Sequence, residues 1–420
     1  MRHHPISSVA AALAILAISV MSACGSSSPS NSSSNSPIQV GGLAPLSGKL
    51  ASFGQGMVTG EQLAIQSINA NGGVLGRQLD FHLQDDAGDP ADGLAAAQLL
   101  IQTDNVVAIM PDGVVSSVVL PLADGANIPI MTMGGGTEFD ATTDTRFFRL
   151  TPSDTEQSDA MMIYAHSKGW NNVAIAIGNA APDQALLPGL ISAGKTLGMT
   201  VAPPVVFAAG SSSFRSEIQT LYASHPQAIM GQFDIPSTAV AFAEIKQQGL
   251  LSTPWIGSNL WYASAFFKSV GASVATGPIY IATPGSGTSL GTPPFLALLK
   301  AKNGATSPNN GTEGMYDMIV TWALGIDQAG TTSEPKASQG IVNVANANGT
   351  GTPCGDYGTC YSLIKAGKPI DWQGSGSVVD FNQFHNVFGP FDFVQYKSDG
   401  TSSPIASLSP AQIASALAGH

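Results

Sequence analysis

The chain has 420 residues, a formal net charge of −12, 44% hydrophobic residues and only 10% charged ones. That length is enough for two domains with real cores. The acidic balance, with no run of Lys or Arg able to track a phosphate backbone, excludes a nucleic-acid binder.

The first residues read as an address. Arg2 supplies a weakly basic start, and Val9 to Val20 is an apolar segment too short to span a bilayer comfortably. An ordinary secretory signal is one reading, and a lipoprotein signal ending before an acylated Cys24 is the other. The small residues Ser22 and Ala23, the lone Cys24 and the Ser/Asn-rich tract to Pro37 favour the second, although Met21 stands where such signals usually carry Leu. Residues 1–23 are then the signal and residues 24–37 a polar tether, with an r.m.s. reach of roughly 20 Å. The expected location is extracytoplasmic, anchored to the cell membrane through Cys24.

Val40 to Leu43 is an apolar run that breaks at Ala44-Pro45-Leu46-Ser47-Gly48. From Gln55 the period becomes helical: Met57, Ala64, Ile65 and Ile68 share a face, and Gly72-Gly73 stops the helix. Leu79 to Leu83 alternates as a strand that ends at Asp85-Asp86. A second helix follows Pro90, with Leu94, Ala97 and Ile101 as its buried face. Strand, helix and strand in this order predict a parallel pair with a right-handed crossover. Ligands of such sheets bind at the carboxyl ends of the strands, where Pro45 to Gly48 fall.

The alternation continues through strands at Val106–Met110, Ile128–Thr132 and Arg146–Leu150, with a helix over Ser116–Ala126. Thr151-Pro152-Ser153-Asp154 interrupts it. It restarts with helices over Met161–Lys168, Leu186–Leu197, Phe214–Ala223 and Thr238–Gln248. The strands between them are Val173–Ile177, Val201–Phe207, Ala228–Met230, Trp255–Ile256 and Ile279–Ala282. The Gly/Pro/Ser-rich stretch Thr283 to Pro294 reads as a second crossing, after which helices resume at Phe295–Ala301 and Glu313–Gln328. The fold class is α/β, with two doubly wound, Rossmann-like lobes. The predicted bounds are 38–152 plus 284–388 for one lobe and 153–283 plus 389–420 for the other, joined by a three-strand hinge.

APLSG, ASFGQ, INANGGVLGRQL and DDAGDP, in this order and spacing, resemble the type I solute-binding proteins of branched-chain amino-acid ABC transporters. Weaker motifs extend the resemblance from about Val40 to about Ser398. GMYDMIVTWALGIDQAG resembles the helix that returns to the first lobe, and Ser375 to Tyr396 the closing strand pair. The resemblance implies a two-lobed periplasmic binding fold that captures a small solute, with an ABC permease and its ATPase subunits as partners. It implies no cofactor. The same fold used as a ligand sensor for a signalling partner is the nearest rival.

Site residues follow from the same resemblance. Ser47 and Gly48 lie at the first strand's end, as cleft lining or as a plain turn. Phe53 takes the position of an aromatic residue set against the ligand's apolar part; a core Phe is the alternative. Asp112 and Gly113 match a loop where the amino-acid binders offer a Ser hydroxyl, but here Ser116 and Ser117 come a turn later, where capping the helix is the expected job. Gly135, Gly136 and Thr137 match a loop that uses backbone groups and a Thr hydroxyl, and three glycines suit an acceptor or anion. In the second lobe, Asn179 to Asp183 replaces a stretch with a Tyr, and Asn259 replaces the acid that meets the ligand ammonium. Asp234 is a substitute acid, and Phe233 and Trp261 are apolar walls. These departures predict a ligand other than a simple branched-chain amino acid.

Cys354 and Cys360, closing a short Gly-rich loop outside the cytoplasm, predict a disulfide; no His or third Cys lies near to support a metal. Better-known members carry a disulfide elsewhere, and Gly88 stands where one of its cysteines would be. Asp85, Asp86 and Asp89 fit strand-end and helix-start roles better than a cation site, because no calcium-loop pattern follows. The scattered His82, His166, His225 and His385 show no metal spacing, and no nucleophile elbow or Cys–base pair suggests an enzyme.

Overall fold

The computed structural model describes residues 36–285, 289–346, 349–376 and 378–418. Cys24, the signal segment and the tether up to residue 35 lie outside the described residues. Among those described, no helix is long and apolar enough to cross a membrane.

Two sheets organise the chain. In the first, β1 (Ile38–Ala44), β2 (Leu79–Asp85), β3 (Ile109–Met110), β4 (Ile130–Thr132) and β5 (Phe147–Arg149) run parallel in the order β2-β1-β3-β4-β5. The second begins with β6 (Asn172–Gly178), β7 (Thr200–Val201), β8 (Val205–Phe207), β9 (Ala228–Gln232), β10 (Trp255–Gly257) and β11 (Ile279–Pro284). After the small pair β12 (Thr352–Cys354) and β13 (Ile370–Trp372), it is completed by β14 (Phe391–Tyr396) and β15 (Ser402–Leu408). Its order is β15-β14-β11-β10-β9-β6-β7, with β8 also on β6; only β14 and β15 join antiparallel. Strand order reverses beside the first strand of each lobe, which opens a crevice at the carboxyl ends.

Helices cover both sheets. Met57, Leu63, Ala64 and Ile68 of the helix Ala51–Ala70 are buried against the first sheet and the helix Thr312–Ala329. The helix Pro90–Gln102 starts at Asp89, whose carboxylate accepts the amides of Ala91 and Asp92. It buries Gly93, Ala97 and Leu100 rather than the predicted Leu94 face, and Leu94 is 37% exposed. The rotation lets Gly93 seat the Val115 side chain.

Two predicted strands differ. Val201–Phe207 splits into β7 and β8 because Pro203 and Pro204 between them donate no amide hydrogen bond. The closing strand pair is not within Ser375–Tyr396: β14 pairs with β15 beyond it, through a turn in which Gly400 has φ +82°. Phe381 and Val387 form only an isolated bridge within the predicted pair.

The backbone leaves the first sheet for the second after β5, returns after β11, and rejoins the second before β14. The passages touch: the Gly285 amide donates to Pro390 O at 2.7 Å, and Gly389 leaves no room for a Cβ beside Pro152. Cys354 and Cys360 form a disulfide with Cα atoms 5.5 Å apart, both buried. Between them, the Tyr357 hydroxyl lies 2.7 Å from Asp327 Oδ2 and 2.9 Å from Gly73 O, joining the loop to the helix Thr312–Ala329 and to the turn before β2.

Candidate functional site

Asp85 closes β2 and holds the loop after β1. Its Oδ1 accepts the amides of Leu46 (2.9 Å), Ser47 (3.2 Å) and Ala87 (2.8 Å). A bond from the Ser47 side chain, followed by those backbone amides, holds its carboxyl below the usual range. Ser47 and Gly48 are therefore exposed but fixed, and Gly48 has φ +74°. Phe53, on the first turn of the next helix, is half-buried with its ring against Gly311.

Asp112 follows β3 and turns inward. It is fully buried, its Oδ1 accepts the amides of Val114 (2.9 Å) and Val115 (3.2 Å), and its Oδ2 has no partner. Burial first, and the nearby Asp86 second, push its carboxyl up to about 7. Asp86 is likewise buried with one unpartnered oxygen. Ser116 does not cap the helix Ser116–Ala126, which has no side-chain cap; the Asp112 carboxylate takes the amides of Val114 and Val115 just before it. The buried Ser116 hydroxyl donates to Asp112 O and meets Thr132 Oγ1. What remains at the surface of this loop is the backbone of Gly113, packed on Gly134.

The loop after β4 has an unexpected charge. A Cβ on Gly135 would collide with the Asp154 carboxylate, and one on Gly136 would lie 2.5 Å from Glu138 Oε2. The buried Arg149 faces the same loop, donating to Gly136 O (3.0 Å) and pairing with Asp140 Oδ1 (2.7 Å). Asp140 also accepts the hydroxyls of Ser153 (3.0 Å) and Thr155 (2.9 Å). Arg149 pairs with Asp140, and among the described residues neither Asp154 nor Glu138 has an ion pair of its own, although Arg149 lies near enough to Asp154 to favour its charge. Thr137 is half-buried, and its hydroxyl has no partner among the described residues.

In the second lobe the chain after β6 is organised by Asp183. Only 6% exposed, this residue lies against Gly178, the last residue of the strand. Burial, together with the nearby Asp234, pushes its carboxyl up to about 6. Gln184 donates to Gly178 O, Gln232 donates to Pro182 O at 2.8 Å, and Asn179 Oδ1 accepts the Ala209 amide at 3.0 Å, so this loop is tied on three sides. Asp183 was visible in the sequence as a carboxylate five residues beyond an apolar strand, a position the family resemblance marks only for a Tyr. Asp234 caps the helix Ile235–Gln247, accepting the Ser237 amide (3.0 Å) and hydroxyl (2.7 Å).

Phe233 and Trp261, expected as apolar walls, lie wholly inside the core, with rings 5.2 Å apart and Trp261 Nε1 donating to Phe233 O at 3.0 Å. Asn259 begins the short turn Asn259–Trp261, half-buried, with no side-chain partner among the described residues. The strand ends of the first lobe thus leave Ser47, Gly48, Gly113 and Thr137 at least partly exposed, and those of the second Asp234 and Asn259, while Asp183 is buried.

A leucine-binding protein of Thermotoga maritima has a similar structure, with a TM-score of 0.75 at 18% identity over 89% of this chain and 99% of that one. A branched-chain amino-acid transporter substrate-binding protein of Streptococcus pneumoniae, complexed with isoleucine, gives 0.72 at 18% identity over 88% and 98%. A fatty acid ABC transporter substrate-binding protein of Thermomonospora curvata gives 0.69 at 15% over 90% and 94%. Among sequences, a Leu/Ile/Val-binding protein of Rhizobium johnstonii is 32% identical over 146 residues, 34% of this chain and 39% of that relative's length. A Leu/Ile/Val-binding protein homologue of Brucella melitensis is 22% identical over 303 residues, 71% of this chain and 81% of the relative. The family model of the periplasmic binding proteins matches residues 37–401, which takes in the first sheet and the second as far as β14, and on that match and this two-lobed architecture the chain belongs to the periplasmic binding protein family, type I.

Proposed function

We propose that this chain is a lipid-anchored solute receptor that takes a small ligand into the crevice between its lobes and delivers it to an ABC importer. What supports the reading is that both sheets are doubly wound, and that among the described residues the side chains of Thr137 in the first lobe and Asn259 in the second have no partner within their own lobe. Closure about the three crossings would be driven by contacts the ligand makes with both lobes at once. The transporter-associated relatives support delivery to a permease, and Cys24 supports the anchor.

For the ligand, the charge of the site argues for a molecule with an ammonium or amide donor and a modest apolar part against Phe53. The glycines at 135 and 136 alone suit an anion. The carboxylates of Asp154 and Glu138 against them favour a donor instead. Asp183 supplies the second-lobe acid that Asn259 lacks. Leucine, isoleucine and valine fit poorly, because the Ser116 hydroxyl is spent inside the first lobe and no Tyr stands near Ala181. Each lost partner of a charged ligand group costs about 1–3 kcal/mol, or roughly one to two decades in affinity.

Calorimetric titration with these three amino acids is expected to give no Kd below about 1 μM. Submicromolar binding of any of them overturns the ligand class. A thermal-shift screen of amides, ureas, other amino acids and aromatic acids is expected to find a stabilising compound whose affinity falls at least roughly ten-fold in Asp183→Asn.

A further inference from the structure

We propose that a cavity between the helices Asp154–Ser167 and Pro410–Ala418, floored by the crossing at Phe388-Gly389, is a second binding site that accepts a small apolar molecule bearing a positively charged amine. The cavity measures about 210 Å³, more than the roughly 150 Å³ that admits benzene into an engineered protein cavity. Its apolar side is built by Phe388, Pro410, Ile413 and Leu417. Phe388 is 53% exposed there, a large aromatic surface that an occupant would cover. One wall, the helix Pro410–Ala418, lies beyond the residues 37–401 that match the family.

The opposite side carries Glu156 and Asp159, one helical turn apart on the helix Asp154–Ser167. Among the described residues neither has an ion pair. Glu156 Oε2 accepts the Ser153 amide at 3.0 Å, and Arg149, the nearby cation, is spent on Asp140 and Gly136 O. The other charged group acting on both, Asp140, is acidic, and neither the helix Pro410–Ala418 nor the crossing Phe388–Pro390 contains a charged residue. Two half-buried carboxylates without a counter-ion, facing an apolar wall in a chain of net charge −12, attract an organic cation and repel an anion. Burial pushes Glu156 up to about 7 and Asp159 up to about 6, so a cation entering at neutral pH lowers both and releases protons. The site shares no residue with the strand-end loops.

The test titrates phenethylammonium, and separately its neutral analogue 2-phenylethanol, into the whole chain. Phenethylammonium is expected to bind one site at pH 7.5, with proton release, and more weakly at pH 5, where the carboxylates are neutral. Asp159→Asn should weaken it roughly ten-fold. Ala414→Trp, at an exposed lining position, should fill the cavity and abolish binding while the circular dichroism melt stays unchanged. Absence of binding, equal affinity for 2-phenylethanol, or undiminished binding by Ala414→Trp would each overturn the proposal.

Discussion

Asp86 and Asp112 flank the end of β1, the Asp86 amide donating to Ala44 O and the Asp112 amide to Leu43 O. Each spends one carboxylate oxygen on a loop amide and buries the other without a partner. Two buried carboxyls in mutual reach resist ionising together, so folding favours the protonated form. The sign for Asp112 follows: its folded pKa of about 7 lies above the ordinary 3.8. Its stabilising contribution is complete below the ordinary value and is lost as the pH rises through the folded one. Asp112→Asn keeps the acceptor for Val114 and Val115 and removes the charge. Relative to the parent it should gain stability between pH 5 and pH 8, on the order of 3 kcal/mol. Thermal unfolding at both pH values checks this, and an equal difference at the two would refute it. That these aspartates turn inward was not legible in the chain, because strand-end aspartates are ordinarily solvated.

Among the elements, the helix Thr312–Ala329 was readable from its apolar period and its likeness to the family's returning helix. Its partner Lys336–Ala345 was missed; it does carry a helical period, with Ala337, Ile341 and Val344 on one buried face, but it is only ten residues long and holds Gly340 within it. The two meet through glycines. A Cβ on Gly325 would lie 2.7 Å from Ile341 Cα, and one on Gly340 would collide with Gly325 O. Gly325→Ala should therefore destabilise the first lobe by about 2 kcal/mol, because backbone rather than a flexible side chain must give way. A denaturation midpoint unmoved by the substitution would contradict this contact. β15 escaped notice for a related reason. An edge strand with Pro404 and exposed Ile405 lacks the clean alternation of a half-buried strand, and only β14 supplies its register.

For the whole molecule, the anchor and the cleft are the two claims that reach beyond the folded domain. Cys24→Ser is expected to move the protein from the membrane to the soluble fraction, because acyl chains acting together hold far more tightly than a polar tether. Persistent membrane retention of the variant, measured by fractionation, would remove the lipid anchor from the proposed function.

The sequence by itself determined the alternation of strands and helices, the division into two doubly wound lobes, the family likeness and the pairing of Cys354 with Cys360. These rest on local period, on motif order and on two cysteines close together in one chain. The tertiary structure alone decided which of the candidate site groups are buried and which stay accessible. Ser116 turned into the loop that supports it, Phe233 and Trp261 joined the core, and Asp183 came to lie on the end of β6 near Asp234. The reason is geometric: periodicity reports that a residue lies on an apolar or polar face of its own element. Whether that face meets core, solvent or the opposing lobe depends on partners scores of residues away.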